Sequence, residues 1–307
     1  MKNKKSKIVS IRSGSWEAEF AVDCGANMYR LNYIPGDFEI LRSPESLDDL
    51  YKMPEFFGIP VLFLPNRIGG GKFSRHGINY KFPVNDPERD NHLHGPLLGK
   101  PWRLTETGDD YVEMAYDHTA TAGYPHDFTM SMRYTFVGNE VIQDFTIRNR
   151  GDLTMPFGLG FHTVFRMTPD AVARISAGRG YWEIDMLPWH PTGRLVPWDD
   201  KLPVYTDAAR ATGHCPMTTE VYNGKSLHGA VIEYPAAGYR LFYESDDNYS
   251  QWCLFNNGGG KGYFCPEPMT WMVNAPNLNL PDEVTGILDI APGGVWQAQT
   301  KIRIESI

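Results

Sequence analysis

The sequence predicts an all-β fold, a large antiparallel β-sandwich, and three observations carry that expectation. Phe128, Met130, Met132, Tyr134 and Phe136 share one face of a period-two pattern, with Thr129, Ser131, Arg133 and Thr135 on the other. Gly138 and Asn139 then turn the chain into Val141, Phe145 and Ile147, which reads as a long hairpin with Gln143 interrupting its apolar face. The same alternation opens the chain at Trp16, Ala18, Phe20 and Val22 and closes it at Trp296, Ala298, Thr300, Ile302 and Ile304. Helical periodicity is scarce, and no linker or repeat divides the 307 residues, so one domain over residues 1–307 is expected.

The remaining elements follow in order. After the first strand Gly25 breaks the pattern, residues 26–33 return as a second strand, and Pro35 with Gly36 turns the chain. Residues 43–49 are polar and admit a short helix or a turn. Residues 56–64 are mostly apolar and lead into Pro65, Asn66, Arg67, Ile68 and three glycines. Residues 69–90 read as irregular, the kind of long excursion that carries function. Residues 102–106 and 111–117 pair across Gly108 and Asp109. Beyond the long hairpin, residues 153–165 are apolar but interrupted by Pro156, Gly158 and Gly160. Glycine permits close backbone approach, which sets His162 on a shaped strand edge. Residues 181–216 read as a surface loop with short strands. Further strands are expected at 230–234, 239–244 and 251–255, with a glycine turn at 258–260. Residues 270–283 hold the one candidate helix, against which their prolines argue.

Composition narrows the class. Hydrophobic residues make up 42% and charged residues 21%, a globular balance. The net charge of −8, from 29 basic and 37 acidic residues, argues against a nucleic-acid partner. Lys2, Lys4, Lys5 and Lys7 read as a solubilising start. No apolar run reaches membrane-spanning length, and no apolar segment follows the basic start as in a signal peptide, so no membrane partner and a cytoplasmic location are expected. Cys24, Cys215, Cys253 and Cys265 lack metal-type pairing and do not form a disulfide scaffold. Cys265 lies close to Glu267 in sequence and reads first as a small apolar side chain, with a pocket-lining role as the alternative.

Four stretches carry candidate chemistry and are expected to meet in one pocket: residues 65–71, 91–95, 161–163 and 265–268. Arg67 offers a planar fork of donors to neighbouring sugar hydroxyls; the alternative is a tie to Asp86 or a loop carbonyl. His92 and His94 have two-residue spacing and would share a face on a strand. Zinc would need Glu267 or His162 as further ligands, but neither C-x-x-C pairs nor H-E-x-x-H occurs, so no metal is expected. His162 is a candidate proton carrier, against a plain buried polar group. Glu267 sits between Pro266 and Pro268, which would fix its carboxylate. Burial would raise its pKa and make it a better base, the alternative being an ordinary loop carboxylate. A full P-loop and a Gly-x-Ser-x-Gly elbow are absent. Asp199 and Asp200, or Asp246 and Asp247, are a weak case for glycoside hydrolysis. The 8 Trp and 16 Tyr suit an aromatic wall for a sugar ring as well as a core.

Asn66-Arg67-Ile68-Gly69, Asn91 through Gly95, Gly123-Tyr124-Pro125, Gly160-Phe161-His162 and Glu267-Pro268 occur in the order of the aldose 1-epimerase, or galactose-mutarotase-like, family, which this chain resembles. The resemblance implies a β-supersandwich with a concave sugar-binding face and no cofactor. It implies that Asn66 and Arg67 bind sugar hydroxyls and that His94 holds the ring-oxygen side, beside His92. It makes His162 the general acid and Glu267 the general base, opening and reclosing the ring of a hexose or modified hexose to exchange its anomers. The family aspartate that binds hydroxyls falls at Thr219, with Glu220 adjacent, and Gly95-Pro96 replaces a common pair of glycines; both bear on the sugar accepted. The expected partner is a small-molecule sugar, and the chain a monomer or homodimer. Alternatives are a sugar-binding or regulatory protein without catalysis, and a hexose-phosphate mutarotase. The latter would need a basic patch, from Lys72, Arg75 or Lys81. A carbohydrate hydrolase or lyase would need other acid–base spacing.

Overall fold

The computed structural model describes residues 7–198 and 202–307; Lys2, Lys4, Lys5, Asp199 and Asp200 lie outside the described residues. The fold is an all-β antiparallel sandwich. The long hairpin pairs Phe128–Val137 with Glu140–Asn149 in unbroken register, Phe128 opposite Asn149 and Val137 opposite Glu140. The even-numbered residues of its first strand and the odd-numbered residues of its second are buried in strict alternation, as the pleat demands. Gln143 keeps its place on the buried face because its amide is satisfied: it donates to Tyr134 Oη at 2.9 Å and accepts from Thr300 Oγ1 at 2.7 Å. The last strand, Val295–Ser306, lies between this hairpin and Tyr239–Ser245 in a nine-stranded sheet.

A second sheet of six strands runs Thr212–Pro216, Gln251–Phe255, Tyr263–Met269, Leu159–Phe161 and Val61–Phe63, with Phe165–Arg166 paired to the third of these. The two layers meet through aromatic rings: Phe161 against Phe145 at 5.9 Å, and Phe63 against Phe128 at 5.0 Å. A four-stranded N-terminal sheet adds Phe20 against Tyr134 at 5.2 Å. Its first strand, Ile8–Ser13, was not legible from alternation, because only Ile11 in it is buried.

Three local expectations change. Residues 69–90 contain a hairpin, Lys72–Arg75 with Ile78–Lys81. The clearest short helix is Leu47–Lys52, started by Ser46, whose hydroxyl accepts from Asp49 N at 3.3 Å. In residues 270–283 the chain forms a 3-10 turn at Ala275–Asn277, and a four-residue helix at Asp282–Thr285 runs past the expected end. Gly158 and Gly160 do allow close approach: a Cβ at 158 would overlap the Trp271 ring, and one at 160 would sit 2.8 Å from Met269 Cγ.

Candidate active site

Glu267 lies on the strand Tyr263–Met269, not in a loop, opposite Cys253. Two prolines in an interior strand are unusual, because proline cannot donate to the ladder. The structure explains them. Thr270 N donates to Leu159 O, and N–H groups alternate sides, so positions 266 and 268 face the same edge. On that edge the pairing has a gap between Gly160 opposite Met269 and Phe165 opposite Phe264. Pro266 and Pro268 therefore forfeit no ladder bond. His162 lies in the gap and turns away from it, its N–H donating to Pro60 O at 3.1 Å.

The gap faces a cavity of about 460 Å³ lined by Asn66, Arg67, His94, His162, Trp189 and Glu267, among others. His162 Nε2 and Glu267 Oε1 are 3.3 Å apart, with the side chains 5% and 1% exposed. Their other ring and carboxylate atoms, His162 Nδ1 and Glu267 Oε2, have no hydrogen-bond partner among the described residues. Burial pushes Glu267 well above the usual range, and the Arg67 charge opposes this only in part. Burial pushes His162 down to about 4. The uncharged form of each is therefore favoured, a carboxylic acid beside a neutral imidazole. His94 meets the His162 ring edge-on at 5.3 Å, and burial, His162, Arg67 and His92 keep it neutral.

Arg67 makes the expected tie to Asp86 and also lines the cavity. Its Nε donates to Asp86 Oδ2 at 3.2 Å and its Nη1 to Asn66 Oδ1 at 3.1 Å. The guanidinium rests 4.8 Å from the Trp189 ring. Trp189 stands at a positive φ of 59° in the turn between Tyr181–Asp185 and His190–Val196. The next residue ties this wall together. His190 Nε2 meets Asn91 Oδ1 at 2.7 Å, and His190 Nδ1 meets Asn274 Nδ2 at 3.2 Å. Asn274 Oδ1 in turn accepts Gly69 N at 2.9 Å. A Cβ on Gly69 would come within 2.9 Å of His190 Cε1, so glycine there admits the imidazole.

Three expected substrate contacts are corrected. His92 does not share a face with His94, because the strand Asn91–Leu93 ends and His94 takes φ of 65°. His92 instead stacks on Phe82 at 5.1 Å and holds Pro83 O at 2.7 Å. Thr219 lies 3.3 Å from His228 Nδ1, and Glu220 accepts from Thr218 Oγ1 at 2.8 Å; neither lines the cavity. The wall at that end comes from Arg210 and Thr212, several residues earlier. Cys253, which accepts from Asn66 Nδ2 at 3.2 Å, lines the cavity, whereas Cys265 is buried outside it. Trp189, His190, Cys253 and Arg210 had no motif to reveal them; the aromatic excess in loops was the only signal, and it pointed to no one residue. Among the described residues, no group of three His, Cys, Asp or Glu is placed to hold a metal ion, and no helix is long and apolar enough to cross a membrane.

The buried histidines predict acid lability. Burial holds His126, His162 and His214 at about 4, against 6.5 when unfolded. Between those values the unfolded chain binds more protons, so the stability they contribute is present above 6.5 and lost as pH falls towards 4. Glu267 has the opposite sign, since its raised pKa makes the folded state the better proton binder there, and it offsets only part of the loss. Urea midpoints measured from pH 7.5 to 4.5 should fall steadily; a flat profile would show that these rings are solvated.

Comparison with known proteins identifies the family. A family model described as aldose 1-epimerase matches residues 7–303. The chain is 26% identical over 255 residues to the uncharacterized protein YphB of Escherichia coli (strain K12), covering 80% of this chain and 83% of that one. It is 29% identical over 168 residues to galactose mutarotase of Sus scrofa, 52% of this chain and 47% of that enzyme, so the match spans about half of the mammalian relative. Among solved structures, a galactose mutarotase-like protein from Clostridium acetobutylicum superposes with a TM-score of 0.91 at 26% identity, covering 98% and 96% of the two chains. The fold, the matched span and the residues around the cavity lead to one conclusion: this chain belongs to the aldose 1-epimerase family.

Proposed function

We propose that this protein is a mutarotase, which interconverts the α and β anomers of an aldose by opening and reclosing its ring. The observation that carries the reading is the buried His162–Glu267 contact of 3.3 Å at the cavity wall. The two oxygens that exchange protons in mutarotation, the anomeric hydroxyl and the ring oxygen, are bonded to one carbon. An acid and a base that serve them must be near neighbours.

With the carboxyl proton passed to His162, Glu267 is ionised and takes the proton of the anomeric hydroxyl. The C1–O5 bond breaks with its electron pair on O5, which receives the proton of His162, and C1 becomes an aldehyde. Rotation about C1–C2 presents the other carbonyl face. Closure returns one proton from Glu267 to O1 and the other from O5 to His162. The pair holds one proton throughout, so no uncompensated charge is left in a site where burial makes charge costly. Arg67, held by Asp86, Asn66 and Trp189, orients the ring hydroxyls. Binding without turnover would use Arg67 and Trp189 equally well, but it gives no reason for a buried acid–base pair with unsatisfied polar atoms.

Anomer-exchange NMR on a panel of aldoses tests the reading: exchange faster than in buffer is expected for at least one sugar, and none for any sugar would reject it. Because His190 does not line the cavity and ties the turn that carries Trp189 to Asn91 and Asn274, His190→Ala should raise KM by about tenfold, worth about 1.4 kcal/mol, with a smaller loss in kcat. The reverse split would place His190 in the proton transfers.

A further inference from the structure

The cavity has further lining residues that the acid–base chemistry does not use. They are Arg89, Arg210, Thr212, Asn257 and Gly258. Glu267 stands opposite Cys253, which stands opposite His214, and Arg210 precedes His214 by four residues. The ladder thus sets Thr212, the first residue of that strand, about 10 Å across the sheet and about 7 Å along it from Glu267, backbone to backbone, and Arg210 lies two residues beyond the strand's start. Two long side chains that line one cavity from those positions leave room for a pyranose ring and its exocyclic arm.

The chemistry of these residues favours an anion. Arg210 is exposed, and no carboxylate among the described residues lies within ion-pair distance of it. Arg89 shares Asp86 with Arg67, at 3.5 Å, and its other carboxylate neighbour, Glu88 at 4.0 Å, is largely exposed. Beside them, Asn257, Gly258, Gly259 and Gly260 all take positive φ, at 52°, 88°, 88° and 66°. The N–H groups of Gly259 and Gly260 are spent on Asn256 O and Asp207 O. Those of Asn257 and Gly258 take no acceptor among the described residues, and a Cβ on Gly258 would meet nothing within 4 Å. Consecutive free N–H groups beside arginines make a concavity suited to negative charge. Besides Glu267, the acid on the cavity wall is Glu55, whose carboxyl burial pushes above its ordinary value. The lysines and arginine expected from sequence to supply such a patch do not line the cavity: Arg75 is bound to Asp282 and Asp289, and Lys72 and Lys81 pair across an outer hairpin.

We propose that the preferred substrates are aldoses carrying a negative charge on the exocyclic carbon, a carboxylate or a phosphate ester, held by Arg210 with Arg89 and the 257–258 backbone. This rests on the mutarotase reading for what happens to the sugar, but not for its binding. Calorimetric titration therefore comes first, with glucose, glucuronate and glucose 6-phosphate and their galacto counterparts. At least one anion should bind about tenfold or more tighter than its neutral parent, as a charge-assisted pair warrants. Arg210→Gln should collapse that ratio, Glu55→Gln should widen it, and added salt should narrow it. The tighter of the two anions identifies carboxylate or phosphate as the source of the charge, and either supports the proposal. Equal affinity for neutral and charged sugars, no binding of either anion, or an intact ratio in Arg210→Gln would overturn it. A charge preference without anomer exchange would uphold this proposal and reject mutarotation instead.

Discussion

Glutamine at position 267 should slow anomer exchange by a factor of about 10² to 10⁴, the span over which a positioned acid or base contributes. The substitution keeps shape and volume and removes only the ability to take a proton. The buried carboxyl has one unsatisfied oxygen and is pushed towards its neutral form, so the amide does not cost the fold a favourable charge. Melting temperature should hold or rise while exchange falls, and that opposition separates a chemical role from a structural one. His162→Asn should give a similar loss. Since the two share one proton, the double variant should be scarcely slower than either single one. Saturation-transfer NMR on a sugar that the native protein turns over provides the rates. A rate within about threefold of native for Glu267→Gln, or losses that multiply in the double variant, would remove the shared-proton mechanism.

The long hairpin and the terminal strand could be read from sequence because their hydrophobic period equals the period of the pleat, and each residue's face follows from its parity. Gly158 and Gly160 were legible for a similar reason: a missing side chain points to a neighbour that fills its space, here Trp271 and Met269. Glu267 was harder. Pro266 and Pro268 argue against a strand, and only the pairing gap at His162, a feature of two segments about a hundred residues apart, permits one. The spacing of His92 and His94 promised a shared face that a single left-handed residue removed. Thr219 and Glu220 were placed by likeness to a motif, and likeness does not report register. Arg210 and Trp189 reach the cavity from the 181–216 stretch through local pairings whose outcome no period in the sequence encodes.

Gly95→Ala should be the most destabilising small substitution near the cavity. Gly95 takes φ of 71°, which costs an alanine about 1–2 kcal/mol, and its Cβ would overlap Phe63 O, so the backbone of the Val61–Phe63 strand end must shift as well. Such overpacking adds about 1–3 kcal/mol, giving a total of roughly 2–5 kcal/mol. Gly138→Ala is the matching control. Gly138 takes φ of 57°, yet a Cβ there meets nothing within 4 Å, so only the backbone term applies. The difference between the two urea midpoints then measures the close approach itself. Because His94 immediately precedes Gly95 and its N–H is held by Asn66 O at 2.8 Å, the shift should also disturb the histidine wall of the cavity. Exchange should fall in Gly95→Ala even under conditions where the variant is fully folded, and should not fall in Gly138→Ala. Equal destabilisation by the two would mean that the loop carrying His94 is free to relax, and that the tight packing of Gly95 against Phe63 does not set the position of that side chain.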